Sequence, residues 1–264
     1  MKLASALPIA ALLIATAGHA ADVTAVLAAV RHRIETSDYR ATGRLVRVDA
    51  NGNRTNYTVS VKGLWFSGAL HTLVDILPPR GLAAGAGQDG PVRILMETRP
   101  DGHDTIRIFQ PHPSAPTWLP FDKWSEGLLG GAFSYEDLLE AEYFWPGQII
   151  LRQATFGARQ CYVLKSTPGP SDRTHYSEVQ TWLDHAIDYP IYAEKTMKSG
   201  AIVKEFTYYG LRQSNGVWSA TQIEAKIRGR AGSTLLIVKR GSAKANLSAK
   251  DFSSEQISRF EDRP

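Results

Sequence analysis

The side chains that could do chemistry in this chain are few and scattered. Seven His residues are spread over 264 positions, and His71 with Asp75, His103 with Asp104, and His185 with Asp184 are the candidate His/Asp pairs. A metal site needs three or four converging ligands, so each of these pairs reads as surface polarity. Glu136-Asp137 is a candidate carboxylate pair for proton transfer, but adjacent positions on a helix point in different directions. The sequence contains neither G-x-S-x-G nor H-E-x-x-H. Gly85-Ala86-Gly87-Gln88-Asp89-Gly90 matches GxGxxG formally. A phosphate-binding loop must lead from a strand into a helix N-terminus, whereas here Pro91 and a new strand follow, so the stretch reads as a hairpin loop. Cys161 is alone inside an apolar strand, the setting of a buried, inert thiol. The expectation is a protein that is not an enzyme, with no catalytic residues, metal or cofactor.

Composition narrows the class further. Hydrophobic residues make up 43% and charged residues 21%, which predicts a folded core rather than disorder. A formal charge of +4, from 30 basic and 26 acidic residues, gives no reason to expect a nucleic-acid partner. Residues 1–20 read as an export leader: Lys2 is the positive region, Leu3 to Ala17 is apolar, and Gly18-His19-Ala20 ends in small residues. Cleavage near Ala20 with no Cys behind it predicts a mature protein free in an export compartment, most simply a bacterial periplasm.

The elements that must position these side chains are mostly strands. Asp22 can cap a helix to about Ser37, with Val23, Val26, Leu27, Val30 and Ile34 on one face. A period of two then sets in. Tyr57, Val59, Val61 and Trp65 share one face of a strand, against Asn56, Thr58, Ser60 and Lys62. Asp49-Ala50-Asn51-Gly52 precedes it as a hairpin turn, and Leu70–Leu77, Val92–Thr98 and Thr105–Phe109 follow as strands. Pro111, Pro113, Pro116 and Pro120 with Trp118, Phe121 and Trp124 suggest an extended cover over an apolar surface. Ser134 to Trp145 reads as a short amphipathic helix stopped by Pro146-Gly147, with Tyr135, Leu138, Leu139 and Glu142 on one face and Ser134/Asp137 as a capping box.

Further strands are expected at Gln148–Ala154, Arg159–Ser166, Tyr176–Leu183, Ile191–Lys198, Ile202–Tyr209, Val217–Arg228 and Ser233–Lys239. A last short helix near Ser254 to Phe260 would be anchored by Phe252 and Ile257. The spacing predicts a mainly β protein with some α: about twelve antiparallel strands in a single strongly curved sheet, an open half-barrel with helices on its concave side. Residues 21–264 then form one domain after the leader.

Gly130-Gly131-Ala132-Phe133-Ser134-Tyr135-Glu136-Asp137-Leu138 resembles the GSDFSYEDL-type signature of outer-membrane lipoprotein-sorting proteins of the LolA-like superfamily. Phe133, Ser134, Tyr135, Glu136, Asp137 and Leu138 carry the match, and Ala132 departs from it where the signature has Asp. Cys161-Tyr162-Val163-Leu164, Gln180-Thr181-Trp182-Leu183-Asp184, Tyr189-Pro190-Ile191, Asn215-Gly216-Val217-Trp218 and Lys250-Asp251-Phe252-Ser253 follow in the order of the family's later strands and turns. The resemblance implies a LolA/LolB-like half-barrel and a carrier of lipid or lipoprotein acyl chains in outer-membrane sorting. Its implied partners are an inner-membrane transporter of the resistance-nodulation-division or ABC type and an outer-membrane acceptor. The expected lipid lining is Tyr57, Val59, Val61 and Trp65 from the sheet, with Tyr135, Leu138 and Leu139 from the covering helix. The alternative is a periplasmic sensory or adaptor module of an envelope-stress or transport complex that binds protein instead of lipid.

Overall fold

A computed structural model describes residues 22–79, 91–109 and 117–258. The leader, the glycine-rich loop at 85–90 and the prolines at 111, 113 and 116 lie outside the described residues. The chain opens with helix α1 (Val23–Glu35), capped by Asp22, whose carboxylate accepts from the Thr24 N–H at 2.9 Å. Val26, Leu27, Val30 and Ile34 form its buried stripe, at the spacing the sequence predicts. Six strands follow: β1 (Asp38–Val48), β2 (Arg54–Phe66), β3 (Ala69–Leu77), β4 (Val92–Thr98), β5 (Thr105–Phe109) and the short β6 (Thr117–Trp118). After a covering segment come β7 (Gly147–Phe156), β8 (Arg159–Thr167), β9 (Tyr176–Asp184), β10 (Pro190–Met197), β11 (Val203–Tyr209), β12 (Arg212–Ser214), β13 (Val217–Ser219), β14 (Gln222–Ile227) and β15 (Ser233–Ala243). A short turn of helix and α2 (Ser254–Ser258) close the described chain.

Thirteen strands form one antiparallel sheet in the order β6-β5-β4-β3-β2-β1-β15-β14-β11-β10-β9-β8-β7, while β12 and β13 pair separately. The first half of the chain builds outward from β1, and the second half starts at the far edge and returns to lie beside it. Leu45 at the junction faces Tyr57 on one side and Leu236 on the other. The seam is tight at a bulge: a Cβ on Gly43 would lie 1.9 Å from the Ile237 carbonyl oxygen, so only glycine fits. The sheet is strongly curved. Ile106 of β5 and Ala193 of β10 stand eight strand positions apart, about 38 Å in a flat sheet, yet both belong to one buried cluster.

Side-chain alternation assigns the two faces. Val74, Ile76, Ile94, Met96 and Ile106 join the large cluster on the inner face. Leu73, Leu95 and Phe109 point the other way and pack under Phe252 and Ile257. Helix α1 meets Leu70, which shares its face with Val74 and Ile76, and so lies on the inner side.

Three expectations need correction. The stretch from Ser134 to Trp145 is not an α-helix but two 3₁₀ turns, Glu136–Leu138 and Ala141–Tyr143, separated by Glu140 at φ 51°. Glu136, Asp137 and Glu142 are all buried, and a continuous helix would not aim its acidic side chains at the several inward partners described below. The expected strand from Val217 to Arg228 breaks at Ala220-Thr221, where the Thr221 N–H bonds the Tyr209 carbonyl at 3.0 Å, which leaves β13 to the separate hairpin. The C-terminal helix packs on the outer face rather than over the concave side.

Candidate functional site

The residues from Leu119 to Trp145 form the cover of the inner face. Trp124, Leu128, Leu129, Phe133 and Leu139 are buried in the large cluster, and Phe121, Tyr135 and Leu138 pack against it. Trp124 is 1% exposed whereas Trp118 is 62% exposed, so the aromatic-rich stretch divides between core and surface. The same cluster holds Tyr57 and Val59, with Val61 at its margin. Six of the seven lining residues expected from the sequence therefore meet in one place. Trp65 belongs to the neighbouring cluster under α1, where it stacks on Phe144 at 6.2 Å.

The cover is fastened by polar groups that are themselves buried. Asp137 sits at the centre with no exposed side-chain surface. One carboxylate oxygen accepts from the Ser134 N–H (2.7 Å), the Ser134 hydroxyl (2.8 Å) and the Lys204 ammonium (2.9 Å). The other accepts from the Tyr176 hydroxyl. Lys195 reaches Glu142 at 2.9 Å, and its ammonium lies 5.3 Å from the Phe206 ring centre. Glu136 accepts from the His175 N–H at 3.1 Å and has the His175 imidazole 3.2 Å away. Three carboxylates of the cover thus meet β9, β10, β11 and the residue just before β9. The expected capping box is half formed: Asp137 accepts from the Ser134 N–H, while the Ser134 hydroxyl donates to Asp137 instead of accepting from its N–H.

Burial alone would raise the Asp137 carboxyl, but Lys204 and Lys195 outweigh it and hold the group below the usual Asp range. Burial likewise pulls the Lys195 ammonium down, and Glu142 with Asp137 more than restores it, so it sits above the usual Lys value. Glu136 is pushed up by desolvation. The Asp137–Lys204 and Glu142–Lys195 pairs are therefore ionic and enclosed, the condition in which removing one partner is most damaging.

Sequence reasoning missed Lys195 and Lys204. The signal was present in the strand phase: Lys195 falls in step with Ile191 and Ala193, and Lys204 in step with Phe206. A lysine on the inward phase of a strand calls for a buried acid.

Further polar contacts fix the ends of the cover. Thr98 donates to the Leu139 carbonyl (2.7 Å), Arg31 to the Tyr143 carbonyl (2.8 Å) and Arg47 to the Leu129 carbonyl (2.6 Å). The Ala132 N–H donates to Thr234 at 2.8 Å, and Arg33 pairs with Glu140 at 3.3 Å. Ala132, where the resembling signature has Asp, thus contributes a backbone bond and no charge. Two openings flank this arrangement. A cleft of about 340 Å³ lies where the cover begins, between Arg47, Gly130, Arg230 and Thr234. A groove of about 740 Å³ lies where it ends, between α1 and Phe144 to Gln148.

The expectation of surface polarity holds for His103, which is exposed, but not for one member of each His/Asp pair. Asp104, Asp184 and His71 are buried. Asp184 pairs with Arg159 at 2.5 Å and accepts from the Ala186 N–H at 2.8 Å, while His71 stacks on Phe66 at 3.8 Å. Asp104 accepts from the Arg99 N–H at 2.7 Å, and burial raises its carboxyl to about 7, helped by Asp172 and Asp101. Each is used by local structure rather than by its neighbour in sequence. Cys161 is fully buried, and burial pushes its thiol up. Among the described residues no helix is long and apolar enough to cross a membrane.

The open half-barrel with a covered inner face is the LolA-like architecture. A solved domain from Vibrio parahaemolyticus, described as a candidate outer-membrane lipoprotein-sorting protein, superposes with TM-score 0.77 at 20% identity over 90% of this chain and 100% of its own. A DUF1329 family protein from Desulfovibrio piger gives 0.74 at 16% identity, covering 89% of this chain and 98% of that one. A LolA superfamily protein from Nitrosomonas europaea gives 0.66 at 20%, also covering 89% and 98%. At these identities the likeness is one of fold. No curated protein matches the sequence. A family model described as uncharacterized protein-like matches residues 88–259, and the chain belongs to that family.

Proposed function

We propose that this chain is a periplasmic carrier that binds lipid or lipoprotein acyl chains in outer-membrane sorting. In this reading the leader is cleaved near Ala20 and residues 21–264 act as one domain. The observation that carries the proposal is the nature of the cover. A continuous apolar face, drawn from β1–β5 on one side and β10, β11 and β14 on the other, lies under a segment of short turns fastened at a few polar points. Each CH₂ of a hydrocarbon tail costs about 0.8 kcal/mol to expose to water, so a long chain needs roughly 10 kcal/mol of shelter in transit.

In the closed molecule Tyr57, Val59 and Leu139 are buried against the protein's own side chains. Loading therefore requires the cover to lift and an acyl chain to replace Tyr135, Leu138 and Leu139 over Tyr57, Val59 and Val61. Trp65 lies toward the α1 end of the same face. A cover with left-handed residues at Leu129 and Glu140 and little regular helix suits such movement. The partners in this reading are an inner-membrane transporter of the resistance-nodulation-division or ABC type that loads it and an outer-membrane acceptor that unloads it.

Lipid extraction from the mature protein purified from its host tests the proposal. Bound acyl lipid is the expected result, whereas a lipid-free protein holding a protein partner would support the sensory or adaptor alternative. Leu138→Glu should lower uptake of a fluorescent fatty acid, and unchanged uptake in a folded variant contradicts the assigned role of the cover.

A further inference from the structure

We infer that the cleft where the cover begins is a binding site for a phosphate group, carried by a lipid headgroup or free in solution. That the group belongs to cargo rests on the carrier reading; the site itself does not. Arg47 near the end of β1 and Arg230 in the β14–β15 turn both line the cleft. Arg47 donates one N–H to the Leu129 carbonyl at 2.6 Å, which leaves the rest of its planar fork available. Arg230 is exposed, and its side chain has no hydrogen-bond or ion-pair partner among the described residues. Asp49 is the one carboxylate in the lining, and its oxygens are occupied at 2.9 Å by the Asn51 and Asn53 N–H groups and the Asn53 side-chain amide. Although Asp49 attracts Arg47, the cleft keeps an excess of positive charge. The Ser233 hydroxyl supplies a further donor in the lining.

The floor is bare. A Cβ on Gly130, at φ +68°, would lie 3.2 Å from the Arg47 nitrogen that holds the Leu129 carbonyl, so a side chain there would press on that bond. The site is also connected to the cover. Leu129 is held in the left-handed region at φ 52°, and the bond from Arg47 steadies its carbonyl. A phosphate drawn between Arg47 and Arg230 would take the fork nitrogens that the Leu129 carbonyl leaves free, beside the point where the cover begins.

Inorganic phosphate titrated into ¹⁵N-labelled protein should give saturable shifts of the Gly130, Gly131 and Gly232 amides. These should be lost in Arg230→Glu and in Ala132→Asp, with unchanged thermal unfolding showing that both variants fold. In a second arm, fluorescent phosphatidic acid and diacylglycerol are presented in vesicles. Arg230→Glu should weaken phosphatidic acid capture about tenfold and leave diacylglycerol capture unchanged. Phosphate shifts without any lipid capture would identify free phosphate as the ligand and reject the carrier reading alone. Equal capture of both lipids by wild type and variant, with no phosphate shifts, would overturn this proposal and leave the carrier reading standing. Neither shifts nor capture would overturn both.

Discussion

The sheet has two covers, and they are fastened by opposite means. On the outer face residues 247–258 are anchored mainly by apolar side chains: Phe252 and Ile257 insert over Leu73, Leu95 and Phe109, and Arg93 bonds the Ile257 carbonyl. On the inner face the cover also buries apolar residues, but its fixed points are ions and hydrogen bonds: Asp137 with Lys204, Glu142 with Lys195, Glu136 with His175, and Arg33 with Glu140. Apolar contact is non-directional and is lost gradually, whereas a buried ion pair depends on geometry and fails when one partner moves. The outer cover is held over its whole apolar surface, the inner one also at discrete polar points.

The largest effect should come from Asp137→Ala, which strands the buried Lys204 ammonium and should cost about 3–5 kcal/mol in urea unfolding. Pairing it with Lys204→Met should recover part of the loss, because the uncompensated charge is then gone; a double variant as weak as the sum of the singles would mean that the ion pair is not the fastening. Phe252→Ala should cost about 3 kcal/mol, at the low end of the usual range because the short outer segment can settle. It should leave acyl uptake unchanged, and a loss of uptake would erase the distinction between the two covers.

Acid should weaken the inner cover. Asp137 has a depressed carboxyl in the folded state, so its stabilisation is fully present above the ordinary Asp range and is lost as pH falls through the lowered value. Hydrogen exchange in residues 119–145 should therefore quicken as pH falls through that value, and unchanged exchange there would contradict the fastening. The smallest effect belongs to Asp104, which lies in neither cover. Its carboxyl is raised to about 7, so its contribution is present below the unfolded Asp value and is lost as pH rises through about 7. Asp104→Asn keeps an acceptor for the Arg99 N–H and should unfold a few degrees above wild type at pH 8, with the gain fading in acid.

Much of the fold was legible because strands half buried on one face print their alternation into the sequence. β2, β3, β4 and β5 lie within two residues of their expected bounds, and α1 follows its stripe and its Asp22 cap. The inner cover was misjudged because Tyr135, Leu138, Leu139 and Glu142 satisfy a helical repeat equally well in successive 3₁₀ turns. The deciding information lay far along the chain, in Lys195 and Lys204. Tyr57, Val59, Val61, Tyr135, Leu138 and Leu139 share one apolar cluster because alternation on β2 and the signature segment each kept their apolar side chains together. The cleft at Arg47 and Arg230 could not be read from sequence, since it is made by the meeting of β1 with β15 and the start of the cover.

The central claim is that the inner cover must move for the chain to take up hydrocarbon. The Ala132 N–H already touches the Thr234 side chain at 2.8 Å, so Ala132→Cys with Thr234→Cys, in a Cys161→Ala background, offers a reversible lock between cover and sheet. Uptake of a fluorescent fatty acid should be abolished when the pair is oxidised and restored on reduction. Equal uptake by the locked and the reduced protein would contradict the account.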